Sequence, residues 1–233
     1  MGKRIAPMHG KALQAFRNND FTPESAIAEI IDNSIQAKSK NIKMQIEFST
    51  PQGKNKPRPN VMAFGDDGIG MDENTLEKCL VLGESTREND RKGIGRFGVG
   101  MTNGAISLCT KIEVYSRPKQ GNWNHVVLDL KDLDENGAPF INVIGEKPLP
   151  DNYKNLVGDY GTLVIWSNID RIPSTFSSKE LNHWLSRTFR KFIGKKIIQG
   201  KDLETGSNDP AITSVDNPNK LSIFVNTIGE KDV

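Results

Sequence analysis

The stretch Ala26-Ile27-Ala28-Glu29-Ile30-Ile31-Asp32-Asn33-Ser34 constrains this chain more than any other. Thr22-Pro23 just ahead of it is a helix start, a capping hydroxyl followed by a proline at the first helical position. Ile27, Ile30, Ile31 and Ile35 recur at helical spacing, so one side of this helix must be covered by another element. Glu29 and Asn33 are four apart and stack one above the other on an adjacent face. A carboxylate and a neutral amide beside an apolar seam make chemical sense if the carboxylate handles a water and the amide oxygen holds a hard cation. Taken alone, the segment reads first as an ordinary amphipathic helix with a polar flank.

The segments that follow supply the cover. Ile42, Met44, Ile46 and Phe48 alternate with polar residues, the signature of a half-buried strand. Pro51 to Asn60 reads as a solvated hairpin loop, and Val61 to Gly65 as a second strand running into Asp66-Asp67-Gly68-Ile69-Gly70-Met71. Asp72 caps a short helix expected to reach about Leu82, and another helix is expected from Thr102 to near Cys109. Further strands are expected at 112–116, 125–130, around 140–144 and at 161–166. Ser177 with Glu180 forms a capping box for a helix over 177–193, whose apolar face is Leu181, Trp184, Leu185, Phe189, Phe192 and Ile193 and which Gly194 ends. Leu221 to Val225 is a strand with nothing after it to pair with, and residues 1–21 read as an arm or short lead-in helix. This order predicts the α+β class: a two-layer α/β sandwich, with a mostly antiparallel or mixed sheet and helices on one face.

Composition removes several alternatives. Of 233 residues, 36% are hydrophobic and 26% charged, which suits a globular chain with a real core. No run of eighteen apolar residues exists, so no membrane span is expected. Cys79 and Cys109 are isolated, and His9, His125 and His183 lie far apart, so no zinc or redox pattern is present and a reducing cytosolic setting is expected. A net charge of +2 does not by itself argue for nucleic acid.

Three further elements join the first helix. Asp66 stands at the end of a buried strand, and a buried carboxylate needs a donor such as an exocyclic amine. The glycines after it let backbone approach a flat ligand, although Asp-Gly pairs also end strands in ordinary turns. Gly95-Arg96-Phe97-Gly98-Val99-Gly100 spaces its glycines so that successive backbone N–H groups can converge on an anion before a helix, or simply make a flexible loop. It matches neither the dinucleotide G-x-G-x-x-G pattern nor a P-loop. Gly161-Thr162 opens a strand with a hydroxyl able to bond a carboxylate or a base edge.

Each element is weak alone, but together their order and spacing are specific. Over roughly residues 20–170 the sequence resembles the ATPase superfamily of gyrase, the ninety-kilodalton heat-shock chaperone, histidine kinases and MutL (GHKL, the Bergerat fold). Glu29 to Asn33 is similar to the family's N box, Asp66 to Gly70 to its D-x-G-x-G box, Gly95 to Gly100 to its phosphate loop and Gly161-Thr162 to its terminal Gly-Thr. The resemblance implies ATP as substrate with Mg²⁺. It implies Glu29 as the general base on the attacking water and Asn33 as the protein ligand to the metal. Asp66 would receive the adenine amino group with Thr162 beside it, and Gly70 and Met71 would line the base. Gly95, Gly98, Val99, Gly100 and Met101 would wrap the phosphates. Residues 85–96 would form a lid, with Ser85, Thr86, Lys92 and Arg96 among its nucleotide contacts.

Within the family, Glu29 is unlike a histidine kinase, and Gln36 stands where the chaperone branch has an aspartate. The run Ala26 to Ala37 with Gly83 to Arg87 is most similar to MORC-type and MutL-type ATPases. That implies a nucleotide-driven, clamp-like homodimer in the full-length protein, possible action on DNA, and a cytoplasmic or nuclear setting. The alternatives are a nucleotide-binding switch with little turnover and a chaperone-type ATPase domain. Arg187, Arg190, Lys191, Lys195, Lys196 and Lys201 are candidates for DNA phosphates or a solvated helix face. The expected organisation is an ATP-binding domain over 1–200, then a linker and the start of a truncated transducer-type domain over 201–233. In this family that second domain supplies a lysine to the γ-phosphate.

Overall fold

The computed structural model describes residues 3–5, 17–18, 21–81, 100–133, 139–193, 198–200 and 221–230. Helix α1 (Pro23–Gln36) begins as its sequence dictates, with the Ser25 amide donating to Thr22 Oγ1 at 3.2 Å and Pro23 in the first turn. Among the described residues three more α-helices follow: α2 (Glu73–Lys78), α3 (Gly100–Leu108) and α4 (Ser178–Thr188). The strands are β1 (Lys3–Ile5), β2 (Asn41–Ser49), β3 (Arg58–Asp66), β4 (Cys109–Arg117), β5 (Asn124–Leu133), β6 (Pro139–Glu146), β7 (Gly161–Ile169), β8 (Ile198–Gly200) and β9 (Ser222–Ile228).

Among the described residues these strands form one sheet in the order β1-β6-β5-β4-β7-β3-β2-β9-β8. Neighbours are antiparallel except β2–β9 and β8–β9, which are parallel. Alternation along the strands separates two faces. Ile42, Met44 and Ile46, then Met62 and Phe64, Ile112 and Val114, and Val164 and Trp166 face the helices, packing with Ile27, Ile30 and Ile31 of α1, Ile106 of α3 and Leu181 and Leu185 of α4. Ala63, Tyr115, Leu163 and Ile165 point the other way, where Leu156 and Val157 of a 3-10 turn segment cover them. The α+β sandwich is therefore as expected, with its helices on one face and a short irregular cover on the other.

Local departures have identifiable causes. Strand β3 starts at Arg58 and takes in Pro59, inside the stretch expected to be loop. The register shifts opposite, between Glu47 and Phe48, and a strand tolerates proline at such an irregularity because no ladder N–H is needed there. Helix α2 stops at Lys78, where the Cys79 amide closes tightly onto the Leu76 carbonyl. Helix α4 ends at Thr188, short of the predicted 193, because Ile193 bridges to Leu221 and draws the chain toward the sheet. Ser177 makes no side-chain cap; the Glu230 carboxylate instead accepts from the Ser178 amide at 2.9 Å and from the Ser178 hydroxyl. The strand expected at 221–225 runs on to Ile228 and pairs with β2 along its length. Of the expected arm, β1 pairs with β6, and Arg17 bonds Asp170 at 2.7 Å. Among the described residues no helix is long and apolar enough to cross a membrane.

Candidate functional site

Asp66 ends β3 beneath the last turns of α1 and is buried. Ser34 Oγ lies 3.0 Å from Asp66 Oδ2, and Asp66 Oδ1 accepts from Ser39 Oγ at 3.1 Å and from the Gly68 amide at 2.8 Å. Burial pushes the Asp66 pKa up, against the pull of these three donors, and the neighbouring Asp67 charge pushes the same way. Asp67 is occupied differently. Its carboxylate accepts from the amides of Lys40 and Asn41, at 2.7 and 2.8 Å, and from Asn41 Nδ2 at 2.7 Å, tying the end of β3 to the entry of β2. Of two adjacent aspartates, one anchors the backbone and the other faces the helix.

Strand β7 brings Thr162 level with Asp66, and β4 brings Ser116 level with Thr162. Gly161, just before, sits at φ +129°, and a β-carbon there would overlap the Asp66 carbonyl oxygen. Gly70 sits at φ +68°, and a β-carbon there would overlap the Arg117 carbonyl, so the loop after Asp66 folds closely onto the end of β4. The Met71 amide completes that closure by donating to Ser116 Oγ at 2.8 Å. Asp66, Gly70, Met71 and Thr162 are thus gathered at one edge of the helix-covered face.

Glu29 lies five residues before Ser34 on α1, a rise of about 7.5 Å along the axis. It meets the beginning of α3, where a β-carbon on Gly100 would overlap Glu29 Oε2. Burial raises the Glu29 pKa first, and the charge of Asp32 raises it further. Asn33, one turn from Glu29, has an exposed side chain. Its amide oxygen suits a hard cation. Among the described residues no group of three or more His, Cys, Asp or Glu side chains could hold a metal alone. Met101 packs against the core from α3.

Helix α1 therefore runs from a carboxylate at the start of α3 to a hydroxyl on the buried aspartate. Ser85, Thr86, Lys92, Gly95, Arg96, Gly98 and Val99 lie outside the described residues. So do Lys195, Lys196 and Lys201, whereas Arg187, Arg190 and Lys191 line an open groove along α4 with Lys179 and His183, and with Glu24 and Glu180 opposing their charge. Sequence reasoning missed Ser34, Ser39 and Ser116. Ser34 adjoins the N-box residues and could have been found as the buried-face neighbour of Asn33. Nothing local marks Ser39 or Ser116.

Residues 21–159 match the model of a family described as "Histidine kinase-, DNA gyrase B-, and HSP90-like ATPase". The chain is similar to Protein MICRORCHIDIA 5 of Arabidopsis thaliana, 27% identical over 118 residues that make up 51% of this chain and 16% of that protein. It is also similar to Protein MICRORCHIDIA 3 of the same plant, 32% identical over 97 residues, covering 41% of this chain and 16% of that protein. ATPase morc-1 of Caenorhabditis elegans is 24% identical over 169 residues, 65% of this chain and 19% of that protein. The chain thus spans less than a fifth of the length of these relatives.

Proposed function

The chain belongs to the family of histidine kinase-, DNA gyrase B- and HSP90-like ATPases, and from that premise we propose that it binds ATP with Mg²⁺ and hydrolyses it between α1, the Asp66 loop and the start of α3. Asp66 receives the adenine amino group, with Thr162 beside it and Gly70 and Met71 lining the base. Asn33 would supply one oxygen to Mg²⁺, which when bound would neutralise phosphate charge. Gly95, Gly98, Val99, Gly100 and Met101 turn backbone N–H groups to the phosphates. Glu29 orients a water toward the γ-phosphorus and takes its proton as the new P–O bond forms and the bond to ADP breaks. Ser85, Thr86, Lys92 and Arg96 close over the nucleotide as a lid. In the full-length protein, lid closure drives a clamp-like homodimer that acts on DNA, as the resemblance to MORC-type and MutL-type ATPases implies.

The observation that carries this reading is the span of α1. One rigid helix presents Ser34 to the buried Asp66 at one end and Glu29 to the first residue of α3 at the other. The test is Glu29→Ala, assayed by phosphate release and by calorimetric ATP binding. A general base touches the ground-state nucleotide little, so binding is retained while turnover falls at least about 10²-fold. Equal rates in parent and variant would remove Glu29 from the chemistry.

A further inference from the structure

Asp66, Thr162 and Ser116 are direct partners across β3, β7 and β4. Residues paired in this way place their side chains on the same face of a sheet. That face is the one covered by α1, since Phe64, Val164 and Val114, two residues away along each strand, all lie in the core with its isoleucines. The three side chains therefore form a row along the edge where the adenine is placed above.

Ser116 is fully buried, and its hydroxyl has three neighbours. The Met71 amide lies 2.8 Å away, the Gly161 carbonyl 3.1 Å and Thr162 Oγ1 2.9 Å. A hydroxyl offers one proton and two lone pairs. The carbonyl can only accept and the amide can only donate, so all three contacts are hydrogen bonds together only when Ser116 donates to Gly161 and accepts from both the Met71 amide and the Thr162 hydroxyl. Thr162 Oγ1 then turns lone pairs alone toward the site. Asp66 beside it already accepts from Ser39 and the Gly68 amide and contacts Ser34, the pattern of a carboxylate acting as acceptor.

We infer that Ser116, which need not touch the nucleotide, sets base specificity by fixing the Thr162 hydroxyl as an acceptor, so that the row admits a 6-amino purine and rejects a 6-oxo purine. This rests on the adenine reading of Asp66. An amine meets two acceptors there; a carbonyl brings lone pairs against lone pairs, and buried polar groups left in that state are costly.

The test compares the affinities of ATP, inosine triphosphate and purine riboside triphosphate, which has no substituent at C6. Binding to the parent, Ser116→Ala, Ser116→Thr and Asp66→Asn is read by calorimetry in Mg²⁺. In the parent, inosine triphosphate binds more weakly than the unsubstituted nucleotide. In Ser116→Ala the Thr162 proton is free to turn into the site, and that gap narrows by about tenfold. Ser116→Thr keeps a hydroxyl and keeps the gap. If Ser116→Ala weakens all three nucleotides by one factor, Ser116 only braces the loop and the inference is overturned. If Ser116→Ala does not fold, the parent still decides, because inosine triphosphate binding as tightly as the unsubstituted nucleotide would mean that Thr162 donates. Asp66→Asn separates the two failures. Retained ATP affinity there removes the adenine reading and this inference with it, whereas lost affinity beside an unchanged gap in Ser116→Ala overturns this inference alone.

Discussion

Glu29 and Asp32 are three apart on α1, and burial raises the pKa of both carboxyls. Asp32 adds its charge to the same effect on Glu29, after burial. With Glu29 as the proposed base, which acts only when ionised, the acid limb of the hydrolysis profile is expected above the usual value of 4.5 for a glutamate. Asp32→Asn removes the charge and leaves the burial, so the limb moves to lower pH without returning fully to 4.5. Turnover measured against pH in parent and variant checks this, and an unmoved limb would mean that Asp32 does not act on Glu29. The stability linkage has the opposite sense to that of a paired carboxylate. A folded pKa above the unfolded one contributes stability that is fully present below the unfolded value and is lost as pH rises through the folded value. Glu29, Asp32 and Asp66 all contribute in that direction.

At the scale of an element, α4 shows how a local start signal is displaced. Ser177 and Glu180 have capping-box spacing, yet the amide and hydroxyl of Ser178 are both bonded to Glu230. An ionised carboxylate at a helix N-terminus also meets the partial positive charge of the exposed amides. Glu230→Ala removes that cap at a cost of about 1 kcal/mol. For a domain of this size, the midpoint of thermal unfolding should fall by about 2–4 °C. An unchanged midpoint would show that Ser177 takes over the cap when the carboxylate is removed. The other end of α4 is set in the same way, by the pull of the Ile193–Leu221 bridge.

At the scale of the whole molecule, β9 carries the sheet beyond β2. β9 lies between β2 and β8, parallel to both, and buries Ile223 and Val225 in the helix-side core. A chain ending at residue 220 would expose the β2 edge and those core positions. Burying two such side chains is worth about 1.5–3 kcal/mol each. Domain stability as a whole is only about 5–15 kcal/mol. The truncated chain should therefore unfold at a much lower urea midpoint or fail to fold, while Glu230→Ala stays close to the parent. A truncated chain with the parent's urea midpoint would show that β9 is an accessory to the sheet.

What the sequence determined by itself is what residues a few positions apart decide. The start of α1 at Thr22-Pro23, its isoleucine seam, the alternation in β2, the apolar run of β7, and the order of the Glu29, Asp66 and Gly161 segments are all carried by short spacing, as is the α+β class that follows from them. What only the tertiary structure decided depends on which distant segments lie in register. Ser34 meets Asp66, Ser116 meets Thr162, Glu230 meets Ser178 and β9 meets β2 only after the sheet has formed. A serine at the end of a strand has the same local signature whether its hydroxyl faces water or a buried threonine. Its partner is chosen by strand pairing, and strand pairing is fixed by the packing of the whole core rather than by the residues beside it.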